Sequence, residues 1–123
     1  MLQPNKILVI RFSSLGDLIL TSPIFRELRR IFPGANLNLL TSVGFGDVLD
    51  NNPHLDRIIK HPRKENFEQL KQLIEELQAE EFDLIYDAHR SMRSRWIVSR
   101  LTALGMKRQP AVWKIDKRTL NRK

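Results

Sequence analysis

Four consecutive branched aliphatic residues, Ile7-Leu8-Val9-Ile10, run straight into Arg11-Phe12-Ser13-Ser14-Leu15-Gly16-Asp17, and this junction limits the possible folds more than any other stretch. The run is too short to cross a membrane and too apolar for a strand with one wet face. It reads as the central strand of a parallel sheet covered on both sides. In open sheets of that kind, ligands bind outside the carboxyl ends of the strands. The turn after this strand offers backbone N–H groups, two hydroxyls and one carboxylate. It carries neither G-x-G-x-x-G nor G-x-x-x-x-G-K-[ST], so a dinucleotide site and a phosphate-cradling loop are both excluded there. Asp17 at the start of the next helix either caps it or faces a cleft as a general base, and a helix N-terminus favours the ionised form in both cases.

The rest of the chain alternates in the same way. Thr21-Ser22-Pro23 reads as a cap and first-turn proline for a helix over Ile24–Phe32, with Ile24, Leu28, Ile31 and Phe32 as its apolar stripe and Asp17–Leu20 as a preceding helical turn. Pro33-Gly34 ends it, and Asn36–Thr41 alternates as a second strand. Gly44-Phe45-Gly46 opens a short helix through Leu49, Pro53 breaks it, and Asp56–Lys60 is a third strand. Over Glu65–Glu80, the residues Phe67, Leu70, Leu73, Ile74 and Leu77 recur at helical spacing and predict a core-facing stripe. A fourth strand, Phe82–Tyr86, ends at Asp87-Ala88-His89-Arg90, where a helix begins that runs to about Leu104 and is closed by Gly105. Arg108–Val112 is a fifth strand. Such alternation with short connections predicts an α/β fold with a doubly wound parallel sheet.

In the Rossmann-like strand order 3-2-1-4-5, the first and fourth strands are neighbours, and Asp17 and the segment Asp87–Arg93 emerge at one edge. Arg90 and Arg93 are three apart, which predicts both on one side of the first turns of their helix. Cations are disfavoured there by the macrodipole, so an anionic ligand or nearby Asp87 is expected to compensate. Asp87 suits a cap, and His89 can hydrogen-bond a substrate hydroxyl or titrate near neutrality. Trp96, Trp113, Met92 and Ile97 read as packing residues, since no spacing makes a stacking platform for bases.

Composition narrows the class. A chain of 123 residues and 14.5 kDa is one domain. It has no cysteine, which removes disulfides, thiolate metal sites and Cys nucleophiles; His54, His61 and His89 lack paired ligand spacing, so no metal is expected. With no signal-like N-terminus and no long apolar run, the expected location is cytoplasmic. The net charge of +7 is concentrated at one end: Lys107, Arg108, Lys114, Lys117, Arg118, Arg122 and Lys123 stand against the lone acid Asp116. A near-neutral globule with a basic end disfavours nucleic acid as the partner and suits anionic lipid or an acidic polymer.

Lys6-Ile7-Leu8-Val9-Ile10-Arg11, Ser13-Ser14-Leu15-Gly16-Asp17, Thr21, Pro23 and Phe82-Asp83-Leu84-Ile85-Tyr86-Asp87 together resemble the bacterial lipopolysaccharide heptosyltransferases, glycosyltransferase family 9. The S-x-G-D turn, with Thr and Pro beyond it, is the most specific part. The resemblance covers Lys6 to Gly105. It implies a Rossmann-like N-terminal lobe over 1–105, one of the two lobes of a GT-B glycosyltransferase, with 106–123 as a basic C-terminal segment or the start of an interlobe linker. It further implies transfer of heptose from ADP-heptose to the inner core of lipopolysaccharide, with inversion and with neither metal nor other cofactor. Asp17 matches the family's catalytic base. Ser13, Ser14 and Gly16 shape its turn, and Arg93 falls where members place a basic residue that contacts acceptor phosphates or acidic sugars; such an anionic acceptor explains Arg90 as well as Arg93, with Asp87 and His89 on the same loop as the remaining acceptor-side candidates.

On the same resemblance the nucleotide-sugar donor needs a second lobe, so this chain is an acceptor-binding half, nearly inactive alone. Peripheral contact with the inner membrane face is a further expectation. The loop Asp87-Ala88-His89-Arg90 departs from the Asp-Ala-Gln-Gly type found in some members. The rival reading is a non-catalytic module that binds an anionic glycolipid or polymer.

Overall fold

A computed structural model of the chain describes residues 4–12, 15–43, 52–62, 66–103 and 109–114, and the side chains of 15–21 and 114 lie outside that description. The elements run β1 (Lys6–Ile10), α1 (Leu15–Ile31), β2 (Asn36–Ser42), β3 (Arg57–His61), α2 (Phe67–Glu80), β4 (Leu84–Asp87), α3 (Met92–Leu101) and β5 (Ala111–Lys114). All five strands are parallel, in the order β3-β2-β1-β4-β5. β1 is central, and its Ile10 stands between Leu40 and Asp87. This is the expected α/β, Rossmann-like doubly wound parallel sheet.

The continuous apolar run of β1 is explained by what covers it. Ile7 and Val9 lie with Leu37, Leu39 and Leu84 in a core closed by Phe25 and Leu28 of α1. Leu8 and Ile10 lie with Leu40 and Ile85 in a second core closed by Leu73, Ile74 and Leu77 of α2 and Ile97 and Leu101 of α3. Burying each such side chain contributes roughly 1.5–3 kcal/mol. With both faces dry, alternation has no purpose and is absent.

Several boundaries differ from the sequence reading. The first helix does not begin after Pro23: it begins at Leu15 and passes through Pro23. Proline therefore sits inside the helix, where it has no N–H to give the Ile19 carbonyl. The reason is tertiary. The crossover must return the chain from one sheet edge to the other, over a strand such as β2 that is about 23 Å long, and 17 residues of helix span about 26 Å. A helix from Ile24 would cover about half the distance.

Helix α2 begins two residues later than expected, because Asn66 forms a reciprocal capping box with Gln69. Helix α3 begins at Met92, capped by Ser91 and Ser94, and ends at Leu101, short of Leu104. β5 is shifted to Ala111–Lys114. It lies beyond 105, so the sheet takes its edge strand from the basic segment. The short helix expected from Gly44 to Leu49 and the closing Gly105 fall outside the described residues.

Three predicted core residues are on the surface instead: Ile31 is 46% exposed, Phe67 70% and Met92 88%. Each sits on the first or last turn of its helix. Periodicity identifies the face of a helix that meets the sheet, but it does not say where along the helix the sheet stops. Ile97 is fully buried, and Trp113 packs edge-on to Tyr86 and against Phe32.

Candidate functional site at the carboxyl edge

Because β1 and β4 pair in register up to Ile10 and Asp87, their exits leave the sheet side by side. The backbone closes the seam first, with Ala88 N–H donating to Ile10 C=O at 3.1 Å, while on the other side of β1 Arg11 N–H donates to Leu40 C=O of β2 at 3.0 Å. Side chains then cross it. The Arg11 guanidinium Nη1 donates to Ala88 C=O at 2.8 Å, and Phe12 N–H donates to His89 Nδ1 at 3.0 Å. The Phe12 and His89 rings lie 6.0 Å apart, and the Arg93 guanidinium rests 3.9 Å from the centre of the Phe12 ring. Arg93 Nη2 reaches on to Pro62 C=O, beyond the end of β3, at 3.2 Å.

Asp87 is 2% exposed. Its Oδ1 accepts the backbone N–H groups of His89 at 3.1 Å and Arg90 at 2.8 Å, and its Oδ2 accepts the Ser94 hydroxyl at 3.1 Å. A buried carboxylate needs such donors. It thus shapes the turn after β4 and anchors it to the first turn of α3, while capping of that helix falls to Ser91.

The turn has one conformational peculiarity. Arg90 has φ of 56°, the left-handed region that a side chain with a Cβ adopts at a cost of roughly 1–2 kcal/mol. It precedes the helix, so Arg90 and Arg93 do not share a helical face as expected. Arg90 is exposed on the turn, and Arg93 is half-buried along α3. The unfavourable position of Arg93 near a helix N-terminus is offset by an aromatic face and a carbonyl.

Gly16 and Asp17 lie in the first turn of α1, which starts at this same carboxyl edge. Asp17 is its third residue, where the dipole favours a carboxylate. Ser13 and Ser14 lie outside the described residues. The structure therefore brings Asp87, His89 and Arg90 onto one turn, with Arg93 on the first turn of α3 that follows it, beside the start of α1. Three participants escaped the sequence reading: Arg11, Phe12 and Ser94. Ser94 had a signal, its three-residue spacing from Ser91; the pairing of Phe12 with His89, 77 positions apart, had none. A groove of about 520 Å³ beside β3, lined by Arg57, Ile59, Glu76 and Glu80, lies on the flank of the sheet away from this turn.

No protein-family model matches the chain. The lipopolysaccharide heptosyltransferase 1 of Pseudomonas aeruginosa is 26% identical over 86% of this chain and 33% of its own length. Among solved structures, a glycosyl transferase of family 9 from Veillonella parvula matches with a TM-score of 0.76 at 24% identity, over 85% of this chain and 31% of that one. The E. coli heptosyltransferase WaaC with ADP-2-deoxy-2-fluoro heptose matches with a TM-score of 0.72 at 24% identity, over 94% of this chain and 38% of that one. The chain spans about a third of the length of the curated relatives it matches. In sequence the chain is similar to lipopolysaccharide heptosyltransferases over about a third of their length, and in fold it is similar to a solved family 9 glycosyl transferase.

Proposed function

We propose that this chain is the acceptor-side, N-terminal lobe of a heptosyltransferase-type glycosyltransferase. The observation that carries the reading is the meeting, at one sheet edge, of the helix start bearing Asp17 with the basic turn Asp87–Arg93. A hydroxyl of an anionic lipopolysaccharide inner-core sugar attacks the anomeric carbon of the donor heptose. Its proton passes to the Asp17 carboxylate as the bond from that carbon to the phosphate oxygen breaks, and ADP leaves on the opposite face with the bonding electrons, inverting the centre.

Ser13 and Ser14, from the sequence alone, and Gly16, in the first turn of α1, are assigned to the stretch that carries Asp17. Arg90 and Arg93 meet acceptor phosphate or carboxylate groups, His89 lies beside them, and Asp87 holds the turn. On this reading the nucleotide-sugar donor is bound by a second lobe. Among the described residues no helix is long and apolar enough to span a membrane. Exposed Phe67 and Met92, at the starts of α2 and α3 on this edge, instead suit peripheral contact with the membrane that carries the acceptor.

Heptose transfer by the full-length gene product tests the assignment. Asp17→Asn lowers kcat by about 10²–10⁴-fold with acceptor affinity retained; an unchanged kcat removes Asp17 as the base. The second reading, binding of an anionic glycolipid without transfer, draws on the same basic turn. It predicts salt-sensitive binding that survives Asp17→Asn, with no turnover in either protein.

A further inference from the structure

Where β1 leaves the sheet, its last ladder bond is Arg11 N–H to Leu40 C=O. The next donor, Phe12 N–H, is partly buried and lies beyond the ladder, and a group in that position needs an acceptor. It finds the imidazole Nδ1 of His89 at 3.0 Å. A nitrogen that accepts must keep its lone pair, so this contact exists only with neutral imidazole protonated at Nε2. The ring is steadied by its own backbone N–H on Asp87 Oδ1 at 3.1 Å and by the Phe12 ring, which carries Arg93 at 3.9 Å.

We propose that His89 is a positioning residue: through Phe12 it holds the near end of the turn that leads to Asp17, and the hold is released when the imidazole takes up a proton. Phe12 lies three residues before the first residue of α1 and five before Asp17. The proposal rests on the reading of Asp17 as the base. Other described contacts across the seam, Ala88 N–H to Ile10 C=O and Arg11 Nη1 to Ala88 C=O, involve groups that do not titrate between pH 5 and 8. Imidazole does. Among the described residues, the charged groups around His89 are Asp87 and Arg90 on its own turn, Arg11 at the exit of β1 and Arg93 on α3.

Two substitutions separate this role from a merely structural one. In His89→Asn, Oδ1 takes almost the place of Nδ1 and accepts at every pH. In His89→Phe the ring stays but the lone pair is lost. In the full-length protein, kcat falls as pH drops from 7 to 5.5. The Asn variant loses that acid limb, its kcat at pH 5.5 and pH 7.5 agreeing within about twofold. The Phe variant loses kcat about tenfold or more at all pH values.

An independent readout is the ¹H–¹⁵N resonance of Phe12 in the 123-residue protein. It moves with His89 titration in the wild type and stays flat between pH 5 and 8 in the Asn variant. An acid limb that survives in the Asn variant, a Phe variant with wild-type kcat, or a Phe12 resonance indifferent to pH in the wild type overturns the proposal. Should Asp17→Asn leave kcat unchanged, the base assignment fails, and the Phe12 resonance still decides whether His89 holds the turn.

Discussion

The two edges of the sheet use their charges differently. At the amino edge, opposite charges meet. Arg29 donates to Asp56 Oδ2 at 2.7 Å and to the carbonyls of Pro33, Ala35 and His54, while Lys6 and Arg57 share Glu80. Asp83 Oδ2 accepts the N–H groups of Asn5 and Lys6 that precede the ladder of β1. At the carboxyl edge, Arg11 and Arg93 reach carbonyls and an aromatic face, and the carboxylate of Asp87 is buried under three neutral donors. One edge ties strands and helices together through ion pairs between side chains. At the other, the described contacts join guanidiniums to carbonyls and a ring, and a buried carboxylate braces the turn from beneath.

The sharpest way to break this contrast is at Asp87. In Asp87→Ala, two backbone N–H groups lose their acceptor and the Ser94 hydroxyl is left with the Ser91 carbonyl alone, and the chain should lose about 2–4 kcal/mol of stability by denaturant unfolding. A loss below about 0.5 kcal/mol, within the range of surface changes, would show that the turn does not depend on it. At the opposite edge, Arg29→Met keeps the aliphatic stem but removes four acceptors' donor. It should cost about 1–3 kcal/mol and leave affinity for anionic acceptor unchanged within twofold. Weaker binding in calorimetry would mean that the two edges are coupled after all.

Arg90→Gly sharpens the comparison, since it should move stability and binding in opposite directions. Relief of the left-handed backbone holds or raises stability by up to about 1 kcal/mol. Loss of the cation weakens acceptor binding several-fold and flattens its salt dependence. A variant both stable and fully competent in binding would remove Arg90 from the site.

The smallest effect expected is at low pH. The Leu37 N–H, then Arg29, hold the Asp56 carboxyl below its usual range, and Lys6 and then Arg57 do the same for Glu80. Both are carboxylates that are lowered on folding, so their contribution is complete above the ordinary carboxylate range and is lost as pH falls through and below about 4. Asp56 is 43% exposed and Glu80 28%, and with solvent screening the pair contributes no more than about 1 kcal/mol. Thermal midpoints of wild type and Asp56→Asn should converge below pH 4; a gap that persists there would point to contacts other than the charge.

Sequence alone was enough to read five strands alternating with helices, and the Rossmann-like strand order that such alternation suggests is the one observed. The elements rest on local period: an unbroken apolar run in β1, helical spacing from Leu70 to Leu77, and punctuation at Pro33-Gly34. It also marked both turns of the candidate site, because the carboxyl ends of parallel strands are predictable once the order is known. Helix length, the exposure of Phe67 and Met92, and the left-handed Arg90 were decided by the assembled fold. Each depends on where the sheet ends and what a turn must reach, quantities that no window of neighbouring residues contains. The same holds for the bond from Phe12 to His89: it joins two residues 77 positions apart whose only common cause is the pairing of β1 with β4. Local chemistry specified the pieces, and only tertiary pairing could bring a backbone donor and an imidazole from distant segments within 3.0 Å.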